Sequence, residues 1–392
     1  MRTRRPLGPW VVLVLLLAAC ATRVAPIGTT GQPFTPEPDE QRLWAQADRE
    51  AAVVVERVGL YDDPALAGYL ASLVERLAPA AATVSGAPRP RVLVLRDPTL
   101  AAFALPDGRI VVHAGLVATV QTEAQLALVL ARELGHVMQR HALAAWRAGR
   151  VALAPAMGVT LLSPTAAAIL GAGLPVLGTA AVTGYGDGFE READAAGMAG
   201  VVRGGWDTRL AVAVWSVLAR ALPGRGPLER FLFGRPAWIA ARGQSAPGLP
   251  AATADRKDGL EIHRRPLLRD NAADDLRLGR FALARRQLEH VLAVAPTDAL
   301  AQLSYGDLHR LQAQRAATPE AREAEIQQAR ARYTRALALD PALAQAHRQL
   351  GLLYYQQQRF VRARAELQEY LRQAPAAPDA ARISEYLREL GR

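Results

Sequence analysis

The chain has 392 residues, enough for two or three domains with sizeable cores, and its 51% hydrophobic and 21% charged content excludes wholesale disorder. Its formal charge of +10 invites a nucleic-acid reading, but Lys257 is the only lysine and the arginines are scattered among acidic residues along helices. No nucleic-acid partner is expected; the basic balance suits anionic lipid surfaces or acidic clients. With a single cysteine, Cys20, neither an intramolecular disulfide nor a Cys-based metal cluster can form.

In chain order, Arg2, Arg4 and Arg5 precede the apolar run Trp10 to Leu17, which is short of the about 20 residues a bilayer span needs but suits a signal-peptide core. Leu17, Ala18, Ala19 and Cys20 follow, and the run resembles a bacterial lipobox. That resemblance implies a lipoprotein signal peptide over residues 1–20, with Cys20 lipidated and left by cleavage as the new N-terminus. Acyl chains on one residue anchor it stably, each buried methylene contributing roughly 0.8 kcal/mol. Ala21, rather than Asp, follows the cysteine, which by resemblance to enterobacterial sorting favours the outer membrane, facing the periplasm. The proline-rich stretch from Arg23 to Asp39 reads as a tether, extended over 21–45.

Residues 46–222 read as one domain. Leu66, Tyr69, Leu70, Leu73 and Leu77 form a helical stripe over Pro64 to Leu77. Arg91 to Leu95 and Arg109 to His113 read as short strands, separated by the turn signal Pro106, Asp107, Gly108. Thr122 and Gln125 form a capping box that starts a helix with an apolar face of Leu126, Val129, Leu130, Leu134, Val137 and Met138. This helix carries Arg132, Glu133 and His136 in the frame of His-Glu-x-x-His, the zinc-peptidase pattern. In that pattern two imidazoles one turn apart ligate the metal and the glutamate activates its water. Farther on, Glu190 and Asp194 lie one turn apart on a second helix, the spacing of a third ligand and a carboxylate behind it.

Ala102 to Pro106, Ala124 to His141 and Glu190 to Gly197 together resemble the BepA-type periplasmic metallopeptidases, relatives of HtpX and the CAAX prenyl protease. The resemblance implies an α+β, mostly helical zincin-like domain with a small sheet and a zinc cofactor. It makes Glu133 the catalytic base, His136 and Glu190 metal ligands, and Asp194 the carboxylate that orients His136. The pattern breaks at Arg132. A guanidinium has no lone pair and stays protonated, so it cannot ligate zinc. Its charge about 4 Å from a dication, at an effective dielectric near 20, would oppose the metal by roughly 4 kcal/mol per unit charge. Its fork suits bridging carboxylates, so Arg132 is expected to replace zinc as the cation of the site. Ala101, Asp107, the Gly186 to Gly188 stretch and Gly234 to Pro236 depart from the family pattern as well. His113 and His141 are alternative ligands; His141, read as continuing the same helix, is expected to face away from His136.

From Val151 to Tyr185 no side chain is charged, but Pro155, Pro164 and Pro175 argue against one continuous span; short helices over the site are expected. Residues 223–268 read as a connector. Over 269–392 three helical pairs end alike at Pro296, Pro341 and Pro375, the last two 34 residues apart, the tetratricopeptide period. An all-α solenoid of such repeats would offer protein or peptide clients a concave groove. Two functions are open: a silent family member acting as chaperone or adaptor in envelope quality control, and a zinc metalloendopeptidase acting on misfolded envelope proteins.

Overall fold

The computed structural model describes residues 24–29, 32–149, 163–221 and 259–390. Cys20, Gly234 to Pro236 and most of the connector lie outside these residues. The chain divides at Arg264 and Arg265 into two compact units.

The N-terminal unit is built round a three-stranded sheet of β1 (Arg91–Leu95), β2 (Ala102–Ala104) and β3 (Arg109–His113). β3 is central, parallel to β1 with Val92 opposite Ile110, and antiparallel to β2 with Phe103 opposite Val111. Alternation along the strands sends side chains to both faces. Leu95, Phe103 and Val111 face a helix α1 (Pro38–Val58), packing with Ala51 and Val54 and with Ile169 and Leu177 from the uncharged stretch. Val94, Ile110 and Val112 point the other way, toward α2 (Pro64–Leu77) and α4 (Glu123–Met138), which lie against the strands. Between β3 and α4, Ala114–Thr119 forms the short helix α3. The expected strands β1 and β3 and helix α2 have the bounds read from their patterns. β2 is an addition, too short to leave a period in the sequence.

Helix α4 starts where the capping box predicts. Thr122 Oγ1 accepts the Gln125 amide at 3.3 Å, while Gln125 Oε1 accepts from the Gln121 amide at 2.8 Å. Every residue of α4 except Arg132 is buried, which marks a core helix rather than an amphipathic surface one. It is followed by α5 (His141–Arg147), then α6 (Pro164–Gly171), α7 (Pro175–Gly178), α8 (Asp187–Arg203), α9 (Thr208–Val212) and α10 (Val214–Ala221). α6 and α7 fall in the described part of the uncharged stretch, residues 163–185, and they pack on α1.

The N-terminal stretch departs from a tether. Residues 38–45 are the first turns of α1, with Leu43 buried. Ile27 is 4% exposed and donates its amide to the Met138 carbonyl at 2.9 Å. Arg140 binds the Ala25 carbonyl at 3.0 Å and the Glu40 carboxylate at 2.6 Å, and Arg147 pairs with Glu37 and Asp39. Prolines exclude helix from this stretch, but its apolar and acidic side chains find partners on the domain.

The C-terminal unit is all helical. α11 (Leu260–Arg277), whose first turn belongs to the N-terminal unit, pairs with α12 (Phe281–Val294). α13 (Ala299–Arg315) pairs with α14 (Pro319–Leu339), α15 (Ala344–Gln356) with α16 (Phe360–Gln373), and α17 (Ala380–Glu389) covers the end. Residues 260–268, read as connector, are helical. At Gly306 a Cβ would lie 2.4 Å from the Tyr333 ring, so glycine sets the approach of α13 to α14. The core runs from Leu303 through Tyr333, Ala336, Ala346 and Leu350 to Ala363.

Candidate functional site

Helices α4 and α8 cross closely because small residues meet there: a Cβ at Gly197 would stand 3.1–3.3 Å from Arg132. This crossing carries Glu190 and Asp194, one turn apart on α8, to Arg132 and Glu133 on α4. Arg132 Nη1 reaches Glu133 Oε1 at 2.5 Å, Nη2 reaches Glu190 Oε2, and Nε reaches Asp194 Oδ1 at 3.1 Å. One guanidinium thus uses all three nitrogens on three carboxylates, a geometry open to arginine and not to lysine. Glu133 and His136 are each 4% exposed.

His136 Nε2 stands 3.8 Å from Glu190 Oε2. Its other side meets His141, whose Nδ1 is 2.9 Å from His136 Nδ1, so one of the two nitrogens carries the shared proton. This corrects the expectation that His141 continues the helix and faces away. α4 ends at Met138, Arg140 adopts a left-handed conformation with φ 55°, and α5 begins at His141 in a new direction. The Arg140 ion pair with Glu40 holds that break. Burial pushes the His141 imidazole below its ordinary pKa, against the pull of Glu192 3.2 Å away. His113 is engaged elsewhere, on the α1 face of the sheet, with Nδ1 2.8 Å from Thr99 Oγ1 and 3.6 Å from Asp97.

Two contributors escaped sequence reasoning. The Tyr185 ring lies 5.0 Å from that of His136, and its hydroxyl donates to the Ala104 carbonyl of the edge strand at 3.4 Å. Burial raises its phenol pKa, so it stays a donor. Asp97 is fully buried and binds Ser163 Oγ at 2.7 Å and the Thr165 amide at 2.8 Å, fixing the start of α6. Burial alone would raise its pKa, but the His113 imidazole and these hydrogen bonds hold it below the usual value. Gly184 and Gly186, both at positive φ, shape the turn before α8, and nothing in the sequence aimed Tyr185 at His136.

Zinc in such a site needs lone pairs converging on one point. Arg132 offers none, and its guanidinium fills the space between Glu133, Glu190 and Asp194. As arranged, the donor set does not fit the metal. Among the described residues no three His, Cys, Asp or Glu side chains form a metal-binding group.

The sequence profile of peptidase family M48 matches residues 64–263, and that of the tetratricopeptide repeat matches residues 320–388. The chain is 32% identical over 158 residues to a putative β-barrel assembly-enhancing protease of Vibrio cholerae, a match covering 37% of this chain and 31% of that protein. It is 44% identical over 50 residues to the mitochondrial metalloendopeptidase OMA1 of Arabidopsis thaliana, covering 13% and 10%. The chain therefore spans at most about a third of the length of these two relatives. With the family profile covering half the chain and the motif helices crossing where the resemblance requires, this protein belongs to peptidase family M48, a family of zinc metallopeptidases, and carries C-terminal tetratricopeptide repeats.

Proposed function

We propose that this chain is a cell-envelope lipoprotein, anchored through Cys20 at the outer membrane and facing the periplasm. Its peptidase site is silent, and it acts as a chaperone or adaptor in envelope protein quality control. The repeats present a groove to protein or peptide clients, in the manner of stacked helical pairs. The single observation that carries the silent-site reading is Arg132 bound to Glu133, Glu190 and Asp194. In this reading the base and the ligand positions neutralise a fixed cation instead of a metal, and Glu133 has no zinc-bound water to activate. Resemblance to the β-barrel assembly-enhancing protease supports the location.

The alternative is an active zinc metalloendopeptidase degrading misfolded envelope proteins. The retained Glu133 and the His136–His141 pair favour it. Elemental analysis of the purified chain beside an Arg132→His variant separates the two. The silent reading expects no zinc in the wild type and one equivalent in the variant. One equivalent in the wild type, lost on His136→Ala, would overturn it.

A further inference from the structure

In the C-terminal unit, the first helices of the successive pairs, α11, α13 and α15, each carry a half-buried arginine held beside an aspartate. Arg269 donates through Nε to Asp270 at 2.9 Å and reaches Asp298, the cap of α13, at 3.7 Å. Arg310 donates through Nε to Asp307 at 3.3 Å, and Arg348 through Nε to Asp379, just before α17, at 2.5 Å. Tyrosines of the second helices brace the same carboxylates: the Tyr333 hydroxyl donates to Asp307 at 2.8 Å and that of Tyr370 to Asp379 at 2.6 Å. Arg269 and Arg348 each reach from one first helix to the start of the next, so both lie on the face that these helices share. Burial raises the Asp307 pKa, while Arg310 and, from the neighbouring first helix, Arg348 pull it back, so Asp307 lies toward the same face.

The three side chains are 21%, 29% and 32% exposed, and none of their Nη atoms is buried without a partner, so water reaches them. A guanidinium oriented through Nε presents its Nη fork, which fits one carboxylate bidentately. Apolar side chains lie between the arginines. Leu352 and Tyr355 follow Arg348 at helical spacing on α15, and Leu300, exposed on α13, precedes Asp307 by two turns. We propose that this face of the repeats binds acidic segments of client polypeptides. Arg269, Arg310 and Arg348 grip their Asp or Glu side chains, and Leu300, Leu352 and Tyr355 meet the apolar ones between. The proposal rests on reading the repeats as a client groove. Three arginines on three helices suit carboxylates spaced along a chain rather than one terminal carboxylate. The aspartates beside them repel the continuous charge of a polyphosphate more than sparse carboxylates.

The full chain is titrated by fluorescence anisotropy with a labelled, C-terminally amidated peptide of leucine, glycine and glutamate, and with its glutamine counterpart. The glutamate peptide is expected to bind about tenfold more tightly, as three part-exposed ion pairs together would give. In a chain carrying Arg269→Gln, Arg310→Gln and Arg348→Gln, with its helicity unchanged, that ratio should fall to about one. If the triple variant unfolds, each single variant should lose about twofold. Equal affinity for the two peptides, or a preference that survives the substitutions, overturns the inference and leaves the client groove standing. A glutamine peptide with a free C-terminus that binds as tightly as the glutamate peptide overturns it in favour of a terminal carboxylate. Tighter binding of poly-uridylate than of the glutamate peptide overturns it in favour of a polyanion. If neither peptide nor unfolded α-lactalbumin binds, the client-groove reading falls with it.

Discussion

Buried polar side chains are partnered over different distances in the two units. In the N-terminal unit, Arg132 meets Asp194 and Glu190 from 62 and 58 residues away, and Asp97 holds Ser163 from 66. In the repeats, Asp275 meets Gln287 from 12 residues away, and Tyr333 meets Asp307 from 26. The first arrangement exists only once the whole unit has folded; the second is completed within one helical pair. A residue that binds distant charges therefore answers to the global fold, and one that binds its neighbour answers to its repeat. The prediction is that damage at the M48 site spreads through its unit, while damage in the repeats stays local.

The strongest way to break this comparison is to remove the cation. Arg132→Met leaves Glu133, Glu190 and Asp194 facing one another, and stripping one partner from a buried pair costs about 3–5 kcal/mol. The lower end is expected because Asp194 is 29% exposed and partly screened by water. Arg132→Lys, which restores charge without the fork, is expected to recover about half. Denaturant titration of the first unfolding transition checks both; a change under about 1 kcal/mol for Arg132→Met would mean that the carboxylates relax apart.

A second test sets the units against each other by pH. Burial lowers the His113 pKa from 6.5 despite Asp97, so its folded state favours the neutral ring. Its contribution is complete above about 6.5 and is lost as pH falls from there through the folded value. Burial instead pushes Asp275 from 3.8 up to about 7, against the nearby Arg280. That contribution is complete below about 3.8 and is lost as pH rises through 7. Hydrogen-exchange protection, corrected for intrinsic rates between about pH 5 and pH 8, should fall toward acid around β3 and toward alkali around α11 and α12. The alkaline effect is on the order of 3 kcal/mol over that range, since about two pH units lie between pH 5 and the folded value and each is worth about 1.4 kcal/mol. Asp275→Asn should flatten it.

The repeats were legible because their signals are local: three helical pairs end alike at Pro296, Pro341 and Pro375, the last two prolines 34 residues apart. Helix α4 was legible through its cap. Other features depended on tertiary partners. The bend at Arg140 uses a left-handed non-glycine residue, so no glycine announced it, and His141 was placed on the wrong side of His136. The proline-rich segment before α1 read as free chain because nothing nearby in sequence binds it; the partners of Ala25 and Glu37, Arg140 and Arg147, come more than 100 residues later. Glu190 and Asp194 could be placed on one helix face by spacing, but only the family resemblance set that face against Arg132.

A smaller effect is expected at the helix crossing of the repeats. Gly306→Ala gains helix propensity of about 1 kcal/mol but drives a methyl into the buried Tyr333 ring, and overpacking of this kind costs about 1–3 kcal/mol. A net loss of about 1 kcal/mol, with protection lost in α13 and α14 and kept in α4, would sharpen the comparison. Loss of protection in α4 as well would show the two units to be one cooperative block.

The finest test uses two threonine caps of the same geometry. Thr122 accepts the Gln125 amide at 3.3 Å and Thr318 accepts the Ala321 amide at 3.2 Å. Removing such a cap costs about 1 kcal/mol when the helix end is fixed in the fold. α4 is buried from its first residue, so its end cannot fray without opening the core, and Thr122→Ala should show the full loss in the global transition. The first turns of α14, from Pro319 to Ala324, are exposed, so Thr318→Ala should fray them and leave the global midpoint within a few tenths of a kcal/mol. Equal global losses would mean that the exposed start of α14 is bound into the cooperative core of the repeats, and that locality in sequence does not confer locality in stability.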